Sequence, residues 1–389
     1  MKKVSILGST GSIGRKAVDL LLQRKEEYQV EALSAHSNFA LLANQAKLLN
    51  AKYVTISNKK FYEDLKESLL GTNIKIEEDV ASIPVDLAII AIVGIAGLVP
   101  VMKAIESGTK VVALANKESI ICGGQLLFTK AKENNVQIIP IDSEHNAIFQ
   151  VLQNNERKHV EKIILTASGG PFLDYNLEQL KNVSVNKALA HPIWSMGEKI
   201  SIDSATMMNK ALEIIEAYNL FGFSVDRIEV VVHPESIVHG IIAYQDGFNF
   251  AVLAEPDMTI PIAYAMSWPE RSALNYQLDL TRYKKLTFHK VDHKRFSAIK
   301  LGMEVASSHV NSIVFNAANE VAVKAFLESQ IGFLEIVRVV RTTVEKFSNS
   351  VNISSLSDIL DVNREGCVIA QKVIKHICSQ SLANMYHYS

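Results

Sequence analysis

The sequence predicts an α/β fold in three parts: an N-terminal doubly wound parallel sheet, a central mixed α/β domain and a C-terminal helical bundle. Three observations carry this reading. Short apolar runs alternate with helical patterns over roughly the first 140 residues. A Gly-rich turn joins the first strand to the first helix, and from Phe296 onward the pattern is helical almost throughout.

Val4–Leu7 runs into Gly8, and a helix is expected over Gly14–Arg24 before a second strand at Val30–Ser34. Leu87–Val93, Val111–Leu114 and Val136–Ile141 follow, each after a polar or amphipathic stretch. Continuous Val/Ile/Leu runs, rather than strict alternation, mark strands covered on both faces, and helices between them argue a parallel sheet. The middle changes character. Ile163–Ala167 and Ile228–Val232 read as strands, while Ile241–Tyr244 and Phe248–Leu253 flank Gln245-Asp246-Gly247 as an antiparallel hairpin. Between these lie a loop-rich stretch, Ser168–Ser201, and a helix from about Ser204 to Tyr218. Ser267–Arg295 carries Pro269 and many charges and reads as a linker; helices follow over Asn311–Phe326 and Ile331–Phe347. The expected boundaries are 1–141, 142–266, a linker at 267–295, and 296–389.

At 389 residues, 48% hydrophobic and 21% charged, the chain is too long for one ordinary core. Forty Lys+Arg against 41 Asp+Glu give a net charge of −1, which argues against a general nucleic-acid binder. Cys122, Cys367 and Cys378 form neither a disulfide framework nor a metal pair, which suits a reducing compartment. No apolar run is long enough to span a bilayer. Met1 is followed by two lysines and then by the strand–Gly-loop pattern, without a signal or transit segment. The expectation is a soluble cytoplasmic protein with neither nucleic acid nor membrane as a partner.

Gly8-Ser9-Thr10-Gly11-Ser12-Ile13-Gly14 opens the first helix. Small residues there let the backbone approach a pyrophosphate, and the helix N-terminus supplies N–H groups and positive dipole. The spacing is GxxGxxG rather than GxGxxG, and a turn made for close packing is the alternative. Its position at the start of a βαβ unit favours the nucleotide reading and makes the domain Rossmann-like. An NAD site would end its second strand on a carboxylate that holds the ribose 2′-OH. Here that strand ends Ser34-Ala35-His36-Ser37-Asn38, with no carboxylate, so the reading leans to NADP, although no Arg or Lys stands in that stretch.

Asp142-Ser143-Glu144-His145 emerges after the strand Val136–Ile141, where open α/β sheets place their ligands. In extended backbone the i, i+2 spacing points both carboxylates one way, and oxygen-only ligands favour Mg²⁺ or Mn²⁺. A helix N-cap followed by a solvated first-turn acid explains the same residues. His145 is either a ligand or a capping or core histidine. Lys117, in Ala115-Asn116-Lys117-Glu118-Ser119, belongs to the same sheet edge, as an anion-binding or a solvated lysine. On the helix from Ser204, Met207, Met208, Ala211, Ile214, Ile215 and Tyr218 form a core stripe. Asn209, Glu213 and Glu216 line the other side with Lys210 adjacent; Asn209, Lys210 and Glu213, with Ser204 near the helix cap, suit an anion plus a cation, or the side is an exposed face with a Lys–Glu pair. Trp194 sits in the Pro- and Gly-bounded loop His191–Gly197, as part of a lid or as an anchor of the loop to the core.

Taken together, Gly8–Gly14, Ala115–Ser119, Asp142–Gln150, Ser168–Phe172, His191–Gly197, Ser204–Glu213 and Asn316–Glu320 resemble the 1-deoxy-D-xylulose 5-phosphate reductoisomerase family of the non-mevalonate isoprenoid pathway. They occur in the family's order and spacing across nearly the whole chain. The resemblance implies a homodimer that uses NADPH and a divalent cation (Mg²⁺ or Mn²⁺). It would rearrange a phosphorylated sugar substrate and reduce it to 2-C-methyl-D-erythritol 4-phosphate, with residues 142–266 as the catalytic and dimerisation domain. Carried over position by position, Asp142, Glu144 and Glu213 are the metal ligands. Ser168, His191, Ser204, Asn209 and Lys210 hold the sugar phosphate, and Lys117, Ser143 and Glu144 contact the reacting oxygens. Lys117, Glu144 and His191 are the expected catalytic residues, and Trp194 and Met196 belong to the closing loop over the substrate. NADPH is expected along Thr10, Gly11, Ser12 and Ile13, with His36, Ser37 and Asn38 at its 2′-phosphate and Asn116, Glu118 and Gly197 elsewhere. One position departs from the pattern: better-known members carry a lysine at Ser37, or a basic residue nearby.

Overall fold

The computed structural model describes residues 1–153, 157–194, 196–348 and 351–387, the last seven by their backbone alone. In chain order it begins β1 (Lys2–Leu7), α1 (Ser12–Gln23), β2 (Tyr28–Ala35), α2 (Phe39–Leu49), β3 (Tyr53–Ile56), α3 (Tyr62–Ser68) and β4 (Lys75–Ile76). Next come β5 (Leu87–Ile90), α4 (Leu98–Glu106), β6 (Val111–Leu114), α5 (Lys117–Glu133), β7 (Gln137–Pro140) and α6 (Ser143–Gln153). The middle holds β8 (Val160–Ala167), α7 (Leu177–Lys181), α8 (Val185–Leu189), α9 (Glu198–Ala205), α10 (Met208–Phe221) and β9 (Ile228–Val232). It continues through β10 (Val238–Tyr244), β11 (Asn249–Leu253), α11 (Thr259–Ser267) and β12 (His289–Lys290). Four helices close the chain: α12 (Ala298–Val305), α13 (His309–Leu327), α14 (Phe333–Lys346) and α15 (Leu356–His387).

The chain divides into two units. The first comprises Met1–Ser119, Gln125–Gln150 and Asp257–Gln277. Its seven strands run in the order β4-β3-β2-β1-β5-β6-β7, every pair parallel, as the sequence predicts. Both β5 and β6 are buried at every residue, which is why their sequences are unbroken apolar runs. The order reverses between β1 and β5, so the loops after these strands flank the crevice where such sheets bind ligands. Ile262, Ala263, Ala265 and Met266 of α11 complete this unit's core beside Ala17, Leu20 and Leu21 of α1.

The second unit comprises Ile120–Gly124, Val151–Pro256 and Leu278–Ser389. Its mixed sheet has the order β11-β10-β8-β9-β12, with β8 and β9 parallel and the other pairs antiparallel. The expected hairpin is β10–β11, turned at Gly247 with φ +91°. Within the stretch read as a linker, His289–Lys290 forms β12 and pairs with β9. Helices α13, α14 and α15 form the C-terminal bundle, and Phe333 of α14 packs edge-on against both Phe172 and Phe326.

Two sequence expectations change. The single helix expected from Ser204 is two: α9 ends at Ala205 and α10 starts at Met208, because Met207 takes the left-handed conformation at φ 60°, ψ 12°. Ser204 therefore lies in the last turn of α9 and is not the cap of α10. The stretch Ser168–Ser201 also holds α7 and α8, five residues each and started by the side chains of Asn176 and Ser184.

Candidate active site

In the first unit the Gly-rich loop is fixed by close backbone packing. A Cβ on Gly8 would stand 2.6 Å from Ala91 O, and one on Gly14 would stand 2.2 Å from Gly8 O. Glycine at both positions lets the loop fold tightly over the ends of β1 and β5. The loop is tied to β2 as well: Gly8 N and Ser9 N donate to Ser34 O at 3.1 and 2.8 Å. Gly11 and Ser12 stay exposed at the start of α1, whose N-cap has no side-chain partner. His36, Ser37 and Asn38 are exposed after β2; His36 Nδ1 lies 2.8 Å from Ser57 Oγ, and Asn38 Oδ1 caps α2 through Leu41 N.

The loops after β6 and β7 meet within this unit. Asn116 caps α5 by accepting from Ser119 N at 2.6 Å, and its amide donates to Ile92 O and Gly94 O. Lys117 is buried, with its ammonium 2.6 Å from Asp142 Oδ2. Lys117 is therefore not a solvated loop lysine. Asp142 does hold the cap position of α6, since its carbonyl accepts from Asn146 N at 2.8 Å. Its carboxylate goes elsewhere, to Lys117, with Nδ1 of the fully buried His145 3.9 Å from its other oxygen. Burial alone would push the Asp142 carboxyl up; Lys117 and then His145 outweigh it and hold it well below the usual carboxylate range. Beside it, Ser143 Oγ donates to Glu144 Oε2 at 2.5 Å. Glu118 is buried on the first turn of α5.

In the second unit, the α9–α10 corner gathers Ser204, Asn209, Lys210 and Glu213. Every residue of α10 from Lys210 to Ala217 is buried, so the helix has no solvated face over this span. Lys210 is 3% exposed and Glu213 is 1% exposed. The Lys210 ammonium contacts Glu213 Oε2, and Asn209 Nδ2 donates to Glu213 Oε1 at 2.5 Å. The exposed-face explanation of this Lys–Glu pair is thereby excluded.

The loop after β8 packs against that corner. A Cβ on Gly170 would stand 2.8 Å from Ser204 O, so the bare backbone there brings Ser168 toward α9. His191 Nε2 lies 3.0 Å from Ser168 Oγ, while its Nδ1 accepts from Ile193 N and Trp194 N at 3.2 and 2.9 Å. Trp194 and Met196 are half-buried, and the Trp194 ring meets His239 edge-on at 6.4 Å; Gly197 is exposed ahead of α9, and Ser195 lies outside the described residues.

Each unit thus assembles a group of expected residues. The first carries Thr10–Ile13, His36–Asn38, Asn116–Glu118 and Asp142–Glu144 after the strands of the parallel sheet; the second carries Ser168, His191, Trp194, Met196, Ser204, Asn209, Lys210 and Glu213. Two residues had drawn no firm role. His145 is turned onto Asp142, as its i, i+3 spacing would allow. Arg15, next to the last glycine of the loop, donates from Nε to Thr10 O at 2.8 Å.

A family profile described as "1-deoxy-D-xylulose 5-phosphate reductoisomerase" matches residues 4–124, and two of its C-terminal domains match residues 138–221 and 253–366. A protein of that name from Wolbachia pipientis subsp. Culex pipiens is 70% identical over 97% of this chain and 100% of its own length. The chain belongs to the 1-deoxy-D-xylulose 5-phosphate reductoisomerase family. The reductoisomerase of Ehrlichia canis is 51% identical over 97% of this chain. Among solved reductoisomerases, the Zymomonas mobilis protein in complex with NADPH is 40% identical, with a TM-score of 0.89 over 96% of this chain and 99% of its own. A second, in complex with NADPH, fosmidomycin and magnesium, is 36% identical, with a TM-score of 0.92 over 97% of this chain and 99% of its own. The Asp142–Gln150 and Ser204–Glu213 segments both lie inside one reductoisomerase domain match.

Proposed function

We propose that this chain catalyses the NADPH-dependent rearrangement and reduction of 1-deoxy-D-xylulose 5-phosphate to 2-C-methyl-D-erythritol 4-phosphate. The observation that carries this reading is the buried Lys210–Glu213 pair, joined by Asn209 at the α9–α10 corner. A buried ammonium beside a buried carboxylate, at a corner that also carries Ser204 and Asn209, is a donor and acceptor set suited to a phosphate and a cation.

The residues fit both cofactors. Gly8 and Gly14 leave no room for side chains, and the exposed start of α1 without a side-chain cap leaves N–H groups for a pyrophosphate along Thr10–Ile13. NADPH, when bound, supplies the hydride that reduces the rearranged aldehyde. We assign its remaining contacts to His36, Ser37, Asn38, Asn116, Glu118 and Gly197. The metal ligands are Asp142, Glu144 and Glu213, an oxygen-only set suited to Mg²⁺ or Mn²⁺, and Lys117 keeps Asp142 ionised for the purpose. A divalent ion held there would supply Lewis-acid polarisation of the ketone and of its developing alkoxide.

The chain's own groups do the rest. Ser168, His191, Ser204, Asn209 and Lys210 hold the phosphate, and that remote binding energy orients the reacting end. The Lys117 ammonium, the Ser143 hydroxyl and the Glu144 carboxylate contact the reacting oxygens. Trp194 and Met196 close over the substrate and exclude water from the aldehyde. The test is NADPH oxidation by the purified protein with Mn²⁺ or Mg²⁺ and 1-deoxy-D-xylulose 5-phosphate, with the product identified by NMR. A product with an unrearranged skeleton would make the protein a plain dehydrogenase, and no oxidation would remove the reading altogether.

The protein works as a homodimer in the cytoplasm in this reading. Strand β11 is an edge of the mixed sheet, and Phe248 and Phe250 on this hairpin are 71% and 50% exposed. An apolar, unpaired edge favours a second copy of the chain. Cys122, Cys367 and Cys378 form no disulfide, which suits a reducing compartment, and among the described residues no helix is long and apolar enough to cross a membrane.

A further inference from the structure

We propose that Arg15 is the cation that reads the adenosine 2′-phosphate of NADPH, an inference that rests on the NADPH reading above. In a doubly wound sheet the end of the second strand faces the ribose 2′ position: a carboxylate there takes the hydroxyl of NAD, and a nearby arginine takes the phosphate of NADP. This chain offers neither after β2, where His36, Ser37 and Asn38 stand. His36 Nδ1 is engaged with Ser57 Oγ, and the Asn38 side-chain oxygen is spent on capping α2.

Arg15 fills the gap from the neighbouring loop. It is exposed on α1, and its Nε–H turns back to donate to Thr10 O at 2.8 Å. The same loop is held to the end of β2 by Gly8 N and Ser9 N on Ser34 O, and by Gly8 N on Ser34 Oγ at 3.0 Å. The guanidinium is therefore anchored on the loop that adjoins the His36–Asn38 stretch. One N–H is used for the anchor, which leaves four in the planar fork for phosphate oxygens. Among the described residues Arg15 forms no ion pair, whereas the next residue, Lys16, is committed to Asp257 at 2.9 Å. A cation fixed at its base and unneutralised at its tip is prepared for an anion.

Calorimetric titration of the full-length protein with NADPH, NADH, 2′,5′-ADP and 5′-AMP tests this without turnover. Replacing Arg15 by alanine (Arg15→Ala) should weaken NADPH and 2′,5′-ADP by about tenfold, while NADH and 5′-AMP change by less than about twofold. Arg15→Lys, which keeps the charge and loses the anchor, should fall between. An equal loss for NADPH and NADH would place Arg15 on the shared pyrophosphate and overturn the proposal, as would no loss for either. A wild type that binds neither NADPH nor 2′,5′-ADP would overturn the NADPH reading itself, and this inference with it.

Discussion

His191 donates its ring proton to Ser168. Two backbone N–H groups, from Ile193 and Trp194, point at His191 Nδ1, so the ring proton stays on Nε2 and is donated to Ser168 Oγ at 3.0 Å. Ser168 Oγ also accepts from Gly170 N at 3.3 Å, which leaves its hydroxyl proton free for an anion. The arrangement needs a neutral imidazole.

Burial pushes the His191 pKa down, below the usual value of about 6.5. A depressed histidine contributes stability that is complete above the unfolded pKa and is lost as pH falls through the folded one. The Trp194 loop should therefore hold its conformation at pH 7–8 and change on the acid side, with a midpoint below about 6.5. Emission of the wild type minus that of Trp194→Phe reads this, and the step should vanish in His191→Gln. A midpoint above 6.5 counts against the assigned tautomer.

Lys210→Ala should do two things at once. It removes the ammonium from the phosphate, raising KM by about ten- to a hundredfold, and it leaves Glu213 buried without its counter-charge, destabilising the fold by about 3–5 kcal/mol. Urea unfolding and KM for the phosphorylated and dephosphorylated substrates measure both. A stability change under about 1 kcal/mol would return Lys210 to an exposed face.

Glu213→Gln keeps the shape that Asn209 and Lys210 contact and removes one anionic ligand. Mn²⁺ binding should weaken and turnover should fall by orders of magnitude, with EDTA abolishing activity in the wild type. Retention of wild-type Mn²⁺ affinity would exclude Glu213 from the ligand set.

Phe250→Lys places a charge on the outer edge of the mixed sheet, a common way of blocking edge pairing. Light scattering should show a dimer for the wild type and a monomer for the variant at micromolar concentration. An unchanged mass would locate the interface elsewhere.

Much of this was legible in the sequence where local pattern and tertiary role agree. Leu87–Ile90 and Val111–Leu114 announce buried parallel strands because both of their faces are covered, and Gly247 marks the hairpin because its turn takes a positive φ. The break at Met207 was not legible: a Met-Met pair inside a helical pattern carries no Gly or Pro to mark the left-handed residue between the two helices. Helices α7 and α8 are too short to show a period, although Asn176 and Ser184 were readable as caps. Spacing suggested Lys210 and Glu213 as a pair but could not say that both are buried. Lys117 and Asp142 lie far apart in sequence, and they meet because β6 and β7 are neighbours in the sheet.

Each proposed acidic metal ligand with a lysine beside it carries a resident counter-ion: Lys117 for Asp142 in one unit, Lys210 for Glu213 in the other. Where a zinc finger collapses without its metal because nothing else neutralises or organises the ligands, these carboxylates are balanced by the polypeptide itself. The cation is then a replaceable reagent and not a staple. Its removal is expected to leave the polypeptide folded and able to take up magnesium or manganese again.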